Sequence, residues 1–179
     1  EYDLVDVVRQ AVAERGRLVY PVVVAAFKSG DISLFEYSSN RFLELILLQD
    51  ELLSTRPEFR VGSWITSARN LGETIEEKNW YEWNARVQIT TWGNRIAADK
   101  GGLHDYAHKE WNGLLRDFYY VRWKRYFDEL HSQMKGKKKT SIDFYAIEEE
   151  WTLSKKNYSC NREDSVLLLA RKVYDRIKL

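Results

Sequence analysis

His104 and His108 stand four residues apart with Asp105 between them, the spacing that puts two imidazoles on one helical face and, with a third ligand, holds zinc. A zinc-hydrolase helix needs Glu directly after its first His, and here that residue is Asp105. No third ligand stands nearby, and His131, several turns along the same predicted helix, is out of reach of one ion. We expect no metal and no other cofactor. The adjacent acids Glu76-Glu77 and Glu148-Glu149-Glu150 are the next candidates. Splitting a glycosidic bond takes two carboxylates facing each other across it, whereas successive helical residues point about 100° apart and share no cleft. These acids are therefore expected on solvated faces. No Ser-His-Asp order, Gly-rich phosphate loop or Cys-His pair stands out, so the motifs alone nominate no catalytic residue. Asn157-Tyr158-Ser159 fits the glycosylation acceptor pattern, which carries meaning only in a eukaryotic secretory protein.

The elements that would position such residues centre on the run from Trp80 to Phe127, which holds five of the seven tryptophans. A Trp-rich helix is expected from Trp80 to Trp92, ending at Gly93. A polar loop from Gly93 to Gly102 follows, and then a second aromatic helix from Asp105, as its cap, to about Met134. Trp111, Leu114, Leu115, Phe118, Val121, Trp123, Phe127 and Leu130 put bulk on more than one side of that helix, which suits the middle of a bundle.

The rest of the chain supplies helices to pack against this run. The apolar spacing from Leu4 to Ala26 predicts a helix over residues 3 to 28, kinked or broken at Pro21. Ser29-Gly30-Asp31 reads as a stop and a new cap for a helix to about Thr55, and Pro57 ends it. Val61, Trp64, Ile65 and Ala68 make a short helix closed by Gly72, and Thr74 with Glu77 forms a capping box. Ser141 or Asp143 caps a helix holding Phe144, Ile147 and Trp151, and a last helix begins near Glu163. These elements predict an all-α bundle of about six to seven helices with a long central aromatic helix, as one domain over residues 1–179.

Composition excludes several classes. Lys and Arg number 28 against 27 Asp and Glu, so no general field gathers nucleic acid or an anionic membrane. The run Lys135-Gly136-Lys137-Lys138-Lys139 reads as a solvated connector rather than a nucleic-acid patch. No stretch approaches the roughly 20 apolar residues of a membrane span. Cys160 is alone, so the fold relies on no intrachain disulfide. The start at Glu1, without Met or signal-peptide features, suggests a piece of a longer chain.

A resemblance adds to this. Tyr2-Asp3-Leu4-Val5-Asp6-Val7, Gly62-Ser63-Trp64, Tyr81-Glu82-Trp83-Asn84-Ala85-Arg86, Thr91-Trp92-Gly93, Asp105-Tyr106-Ala107, Lys109-Glu110-Trp111-Asn112-Gly113-Leu114 and Tyr119-Tyr120-Val121-Arg122-Trp123 resemble, in order, the C-terminal domain of the alpha-N-acetylglucosaminidases of glycoside hydrolase family 89. The resemblance implies an accessory domain packed on a catalytic barrel of the same chain. That barrel would carry both catalytic glutamates, so no catalytic residue is assigned here. It further implies retaining removal of terminal alpha-linked N-acetylglucosamine from glycans, including heparan sulfate, and a secreted, periplasmic or lysosomal setting.

By position in that family, Trp92, Leu103 and Tyr106 line one edge of the sugar pocket. The competing expectation for Trp92 is a ring packed in the core, and for Asp105 a helix cap. The segment from Asn94 to Gly102 is longer than the family's loop, which loosens the placement of Leu103. Trp83, Trp111, Phe118 and Trp123 read as packing. From another functional class, a free-standing helical module that binds a protein or glycan is the alternative.

Overall fold

The computed structural model describes residues 1–102, 105–160 and 165–178. Among them the chain forms eight α-helices, no extended strand and one isolated bridge between Arg60 and Asn112. Helix α1 spans Tyr2–Ser29 and α2 spans Ile32–Leu53. Gly30 sits at φ 75°, and Asp31 accepts from the Leu34 amide at 2.9 Å, so the predicted stop and cap occupy consecutive residues. Of the kink or break expected at Pro21, the break does not occur: α1 is continuous, and the flanking Val19 and Val23 are both buried in the core, whose packing outweighs one missing hydrogen bond.

A 3-10 turn, Pro57–Phe59, leads into α3, Val61–Arg69. Helix α4 then spans Ile75–Gln88, with both halves of the Thr74–Glu77 capping box formed. Helix α5, Arg95–Gly101, lies where a polar loop was expected. Asn94 caps it by accepting from the Ala97 amide at 2.9 Å, and Gly102 closes it at φ 65°. That additional helix takes the count above the six or seven read from the sequence.

The second aromatic helix begins later than its apolar pattern suggests. Residues 108 to 112 are non-helical, Gly113 takes φ 86°, and a π-helical turn, Leu115–Tyr119, enters α6, Tyr120–Met134. The reason lies in α2. The buried Asp50 carboxylate accepts from the Gly113 amide (2.6 Å), the Arg116 amide (3.2 Å), Asn112 Nδ2 (3.0 Å) and Arg116 Nε (3.1 Å), so this remote acid caps the start of the helical unit. Burial raises the Asp50 carboxyl above its ordinary range, against the pull of the Gly113 amide and Arg116. Asp143 caps α7, Phe144–Leu153, and Ser165 caps α8, Val166–Ile177. Glu163, the expected start of that last helix, lies outside the described residues.

Two cores result. The larger joins α1, α2, α6 and α8 through residues such as Val12, Val23, Phe35, Leu52, Phe127 and Val173. The smaller packs Val61, Ile65, Ile89, Leu114, Phe118 and Trp151. Trp111 and Tyr119 touch both, so the aromatic run joins them. Trp123 is half-buried against the larger core, whereas Trp83 is half-buried on the 62% exposed Trp80. No described helix is long and apolar enough to cross a membrane.

Candidate functional site

The aromatic corner begins where α4 fails. The helix stops at Gln88 rather than Trp92, because Ile89, Thr90 and Thr91 are three successive β-branched residues. The Thr90 hydroxyl also bonds back to the Arg86 carbonyl at 2.8 Å. The chain folds over so that the Trp92 amide donates to the Val87 carbonyl at 2.8 Å, leaving Trp92 at φ 60°. Trp92 is 47% exposed, which excludes the core position. Tyr106, 66% exposed, lies with its ring centroid 5.5 Å from that of Trp92, tilted by 44°. The structure thus brings together the two residues singled out on either side of the 94–102 segment. Leu103, the third, lies outside the described residues.

Asp105 holds this corner from behind. It is buried at φ 52° and does not cap a helix. Its amide donates to the Thr90 carbonyl at 2.6 Å, tying the segment to the end of α4. Its carboxylate accepts the Tyr119 hydroxyl at 2.5 Å and pairs with Arg122 at 2.9 Å. Burial, reinforced by the Asp105 charge, pushes the Tyr119 hydroxyl far up, so it stays protonated and donating. Arg122 also reaches Glu148 at 3.2 Å. Glu148 is fully buried, which corrects its assignment to a solvated face; Glu149 and Glu150 are exposed as expected. The reason is the guanidinium of α6, which offsets the loss of hydration.

Among the described residues, the non-glycine positions with positive φ are Trp92, Asp105 and His108, all within this corner. Each costs about 1–2 kcal/mol in a non-glycine residue, and such strain concentrates where a surface must hold a particular shape. His108 lies outside any helix, so the face it was to share with His104 does not form there; His104 itself is outside the described residues. No group of three His, Cys, Asp or Glu among the described residues is arranged to hold a metal ion.

The other side of the corner rests on α7. The Tyr145 hydroxyl donates to the Gly93 carbonyl at 3.2 Å, and Arg95 stacks over the Tyr145 ring at 4.6 Å while pairing with Asp143 at 2.9 Å. Beneath α4 lies a group that the sequence reading missed. Arg86 is fully buried, donates to Glu82 Oε1 at 3.0 and 2.8 Å and to the Lys156 carbonyl at 2.8 Å, and packs on the Trp151 and Tyr158 rings at 4.9 and 5.5 Å. Burial pushes Glu82 up, but hydrogen bonds from Arg86 and Arg69 override it and hold the carboxyl below its ordinary range. The available signal was the Glu82–Arg86 spacing of four on one helical face, followed by aromatic residues near 151 and 158.

Fold and corner together define an all-helical domain that sets two exposed aromatic rings beside a buried charge network. The family model described as alpha-N-acetylglucosaminidase (NAGLU) C-terminal domain matches residues 1–176, and the chain belongs to that family. Alpha-N-acetylglucosaminidase of Homo sapiens is 31% identical over 179 residues, covering 97% of this chain and 23% of that protein. A family 89 glycoside hydrolase from Clostridium perfringens, solved in complex with PUGNAc, superimposes with a TM-score of 0.93 at 36% identity, over 99% of this chain and 21% of that one. A Clostridium perfringens structure in complex with its substrate GlcNAc-alpha-1,4-galactose gives 0.92 at 37%, over 97% and 20%. The chain therefore spans 20 to 23% of the length of these relatives.

Proposed function

We propose that this chain is the accessory domain of a retaining alpha-N-acetylglucosaminidase. In this reading it packs on a catalytic domain of the same polypeptide and forms one edge of the pocket for a terminal alpha-linked N-acetylglucosamine. The observation that carries the reading is the Trp92–Tyr106 pair. Both residues are exposed, and the left-handed backbone at Trp92 and at Asp105, next to Tyr106, fixes the corner that presents them. An aromatic face suits the apolar C–H surface of a sugar ring. The bound PUGNAc and disaccharide of the clostridial relatives agree with a pocket of that chemistry. The domain supplies shape and contact, and the catalytic glutamates belong to the remainder of the protein.

The test is kinetic, on the full-length protein. Trp92→Ala and Tyr106→Ala should each lower kcat/KM toward an alpha-N-acetylglucosaminide by about tenfold, the worth of one aromatic contact, with an unchanged melting temperature. The 179-residue chain alone should hydrolyse none. Unaltered kinetics in both variants, or turnover by the isolated chain, would overturn the reading.

A further inference from the structure

Helix α4 carries its polarity reversed. Between residues 79 and 92 the charged side chains are Glu82 and Arg86, and both are buried, paired with each other and, through Glu82, with Arg69 of α3. The opposite face, built at steps of three and four, presents Trp80, Trp83, Asn84 and Val87. Trp80 stands at its centre, 62% exposed, with the Trp83 ring 4.9 Å away and tilted by 39°. Asn84 and, beside it, Gln88 are exposed and neutral. An exposed helix face is where a chain ordinarily puts its charge, and 31% of this chain is charged. A face without charge and rich in tryptophan is instead the composition found at the centre of a protein contact.

The domain itself leaves this face to solvent. Helix α4 rests chiefly on α3 and α7, and it does so through its other side. Trp64 of α3 donates to the Ala85 carbonyl at 2.9 Å, and the Trp151 ring of α7 lies 4.9 Å from the Arg86 guanidinium.

The same face leads to the aromatic corner. Its 14 residues run for about 20 Å, and the last turn holds Trp92 through the 2.8 Å bond from the Trp92 amide to the Val87 carbonyl. Whatever closes a sugar pocket against Trp92 and Tyr106 therefore has the Trp80 face as the adjoining surface. This chain is 20 to 23% of the length of its relatives, so most of each relative is available, in the same polypeptide, to cover it. Another exposed apolar group, Leu18 and Val22 of α1 with Leu34 and Tyr37 of α2, shares no helix with the corner.

We propose that the Trp80 face of α4 is the surface on which the catalytic domain of the same polypeptide docks, with Trp80 as its anchor. The inference rests on this chain being one domain of a longer glycosidase, and it names the face that joins the two. Asn84 and Gln88 provide the hydrogen bonds of the contact, since each amide both donates and accepts.

The experiment is hydroxyl-radical footprinting of the full-length protein, read by mass spectrometry, with each rate divided by that of the free amino acid. Trp80 and Tyr174 are equally exposed in the domain, at 62%, and Tyr37 is at 72%, so the two tyrosines calibrate an open surface. Trp80 should react at least about fivefold more slowly than either, as a residue at the centre of a contact does. Trp80→Glu should raise the reactivity of Trp83 several-fold, whereas Tyr37→Glu should leave it unchanged; the wild-type footprint carries the test if Trp80→Glu does not fold. Reaction of Trp80 as fast as the tyrosines would overturn the docking face. Protection that fades on dilution would assign the face to a second copy of the protein and overturn it equally. The pocket edge is judged separately: an open Trp80 with impaired kinetics in Trp92→Ala removes the docking face and keeps the corner, whereas a protected Trp80 with unaltered kinetics in Trp92→Ala does the reverse.

Discussion

The Asp105 carboxylate accepts the Tyr119 hydroxyl at 2.5 Å, joining the segment that carries Tyr106 to the π-helical turn that opens α6. The acid is buried and its other oxygen pairs with Arg122, so the tyrosine supplies half of its direct polar support. Tyr119→Phe removes one O–H and keeps the ring. A hydrogen bond to a buried charge contributes about 1.5–3 kcal/mol, and urea denaturation should show a loss of that size. If Tyr106 lines the sugar pocket as proposed, the variant in the full-length protein should raise KM more than it lowers kcat, since such a contact would serve ground state and transition state alike. An unchanged denaturation midpoint would mean that the Thr90 and Arg122 contacts suffice.

The buried Glu82–Arg86 pair sets an acid limit on stability. Glu82 is held below its ordinary value of 4.5 by Arg86 and Arg69, against the opposing effect of burial. A carboxyl depressed in the folded state stabilises it above the unfolded pKa, and the contribution disappears as pH falls through the folded value. Wild-type stability should therefore drop as pH falls below about 4.5. Glu82→Gln strands the Arg86 charge and should cost about 3–5 kcal/mol at neutral pH. The gap between wild type and variant should narrow toward pH 3, measured by urea titration across that window. A gap that stays constant with pH would remove this pair from the acid response.

How much of this was legible in the sequence depended on the range of the controlling contact. Gly30, Asp31 and Thr74 act within four residues, and the caps they predict are formed. The packing roles of Phe118 and Trp123 likewise follow from local spacing. Between residues 89 and 119 the controlling contacts come from elsewhere. Asp50, over 60 residues away, decides where the aromatic helix starts, and the Thr90 and Tyr119 bonds turn Asp105 from a cap into a clamp. Glu148 looked solvated because its neighbours are acidic; only the fold shows that Arg122 faces it. The Trp92–Tyr106 pairing was reached through family resemblance, since no period relates residues 92 and 106 across a capped helix.

Gly113 tests the same junction from the backbone side. It sits at φ 86° with its amide on Asp50, and a Cβ placed there would lie 2.6 Å from Tyr158 Cδ1 and 2.9 Å from Val61 Cγ1. Gly136 shares the conformation, at φ 79°, but a Cβ there meets nothing within 4 Å. Gly136→Ala should therefore cost only the left-handed penalty of about 1–2 kcal/mol. Gly113→Ala adds overlap in a filled core, for a total of at least about 3 kcal/mol. The difference between the two denaturation free energies isolates the packing, because the backbone contribution is common to both. Since Tyr158 also packs on Arg86, the overlap should spread into the smaller core, and loss of near-ultraviolet circular dichroism from Trp151 should accompany the drop in stability. Equal losses at the two glycines would mean that the Tyr158 ring moves aside at little cost and that the junction is held by Asp50 alone.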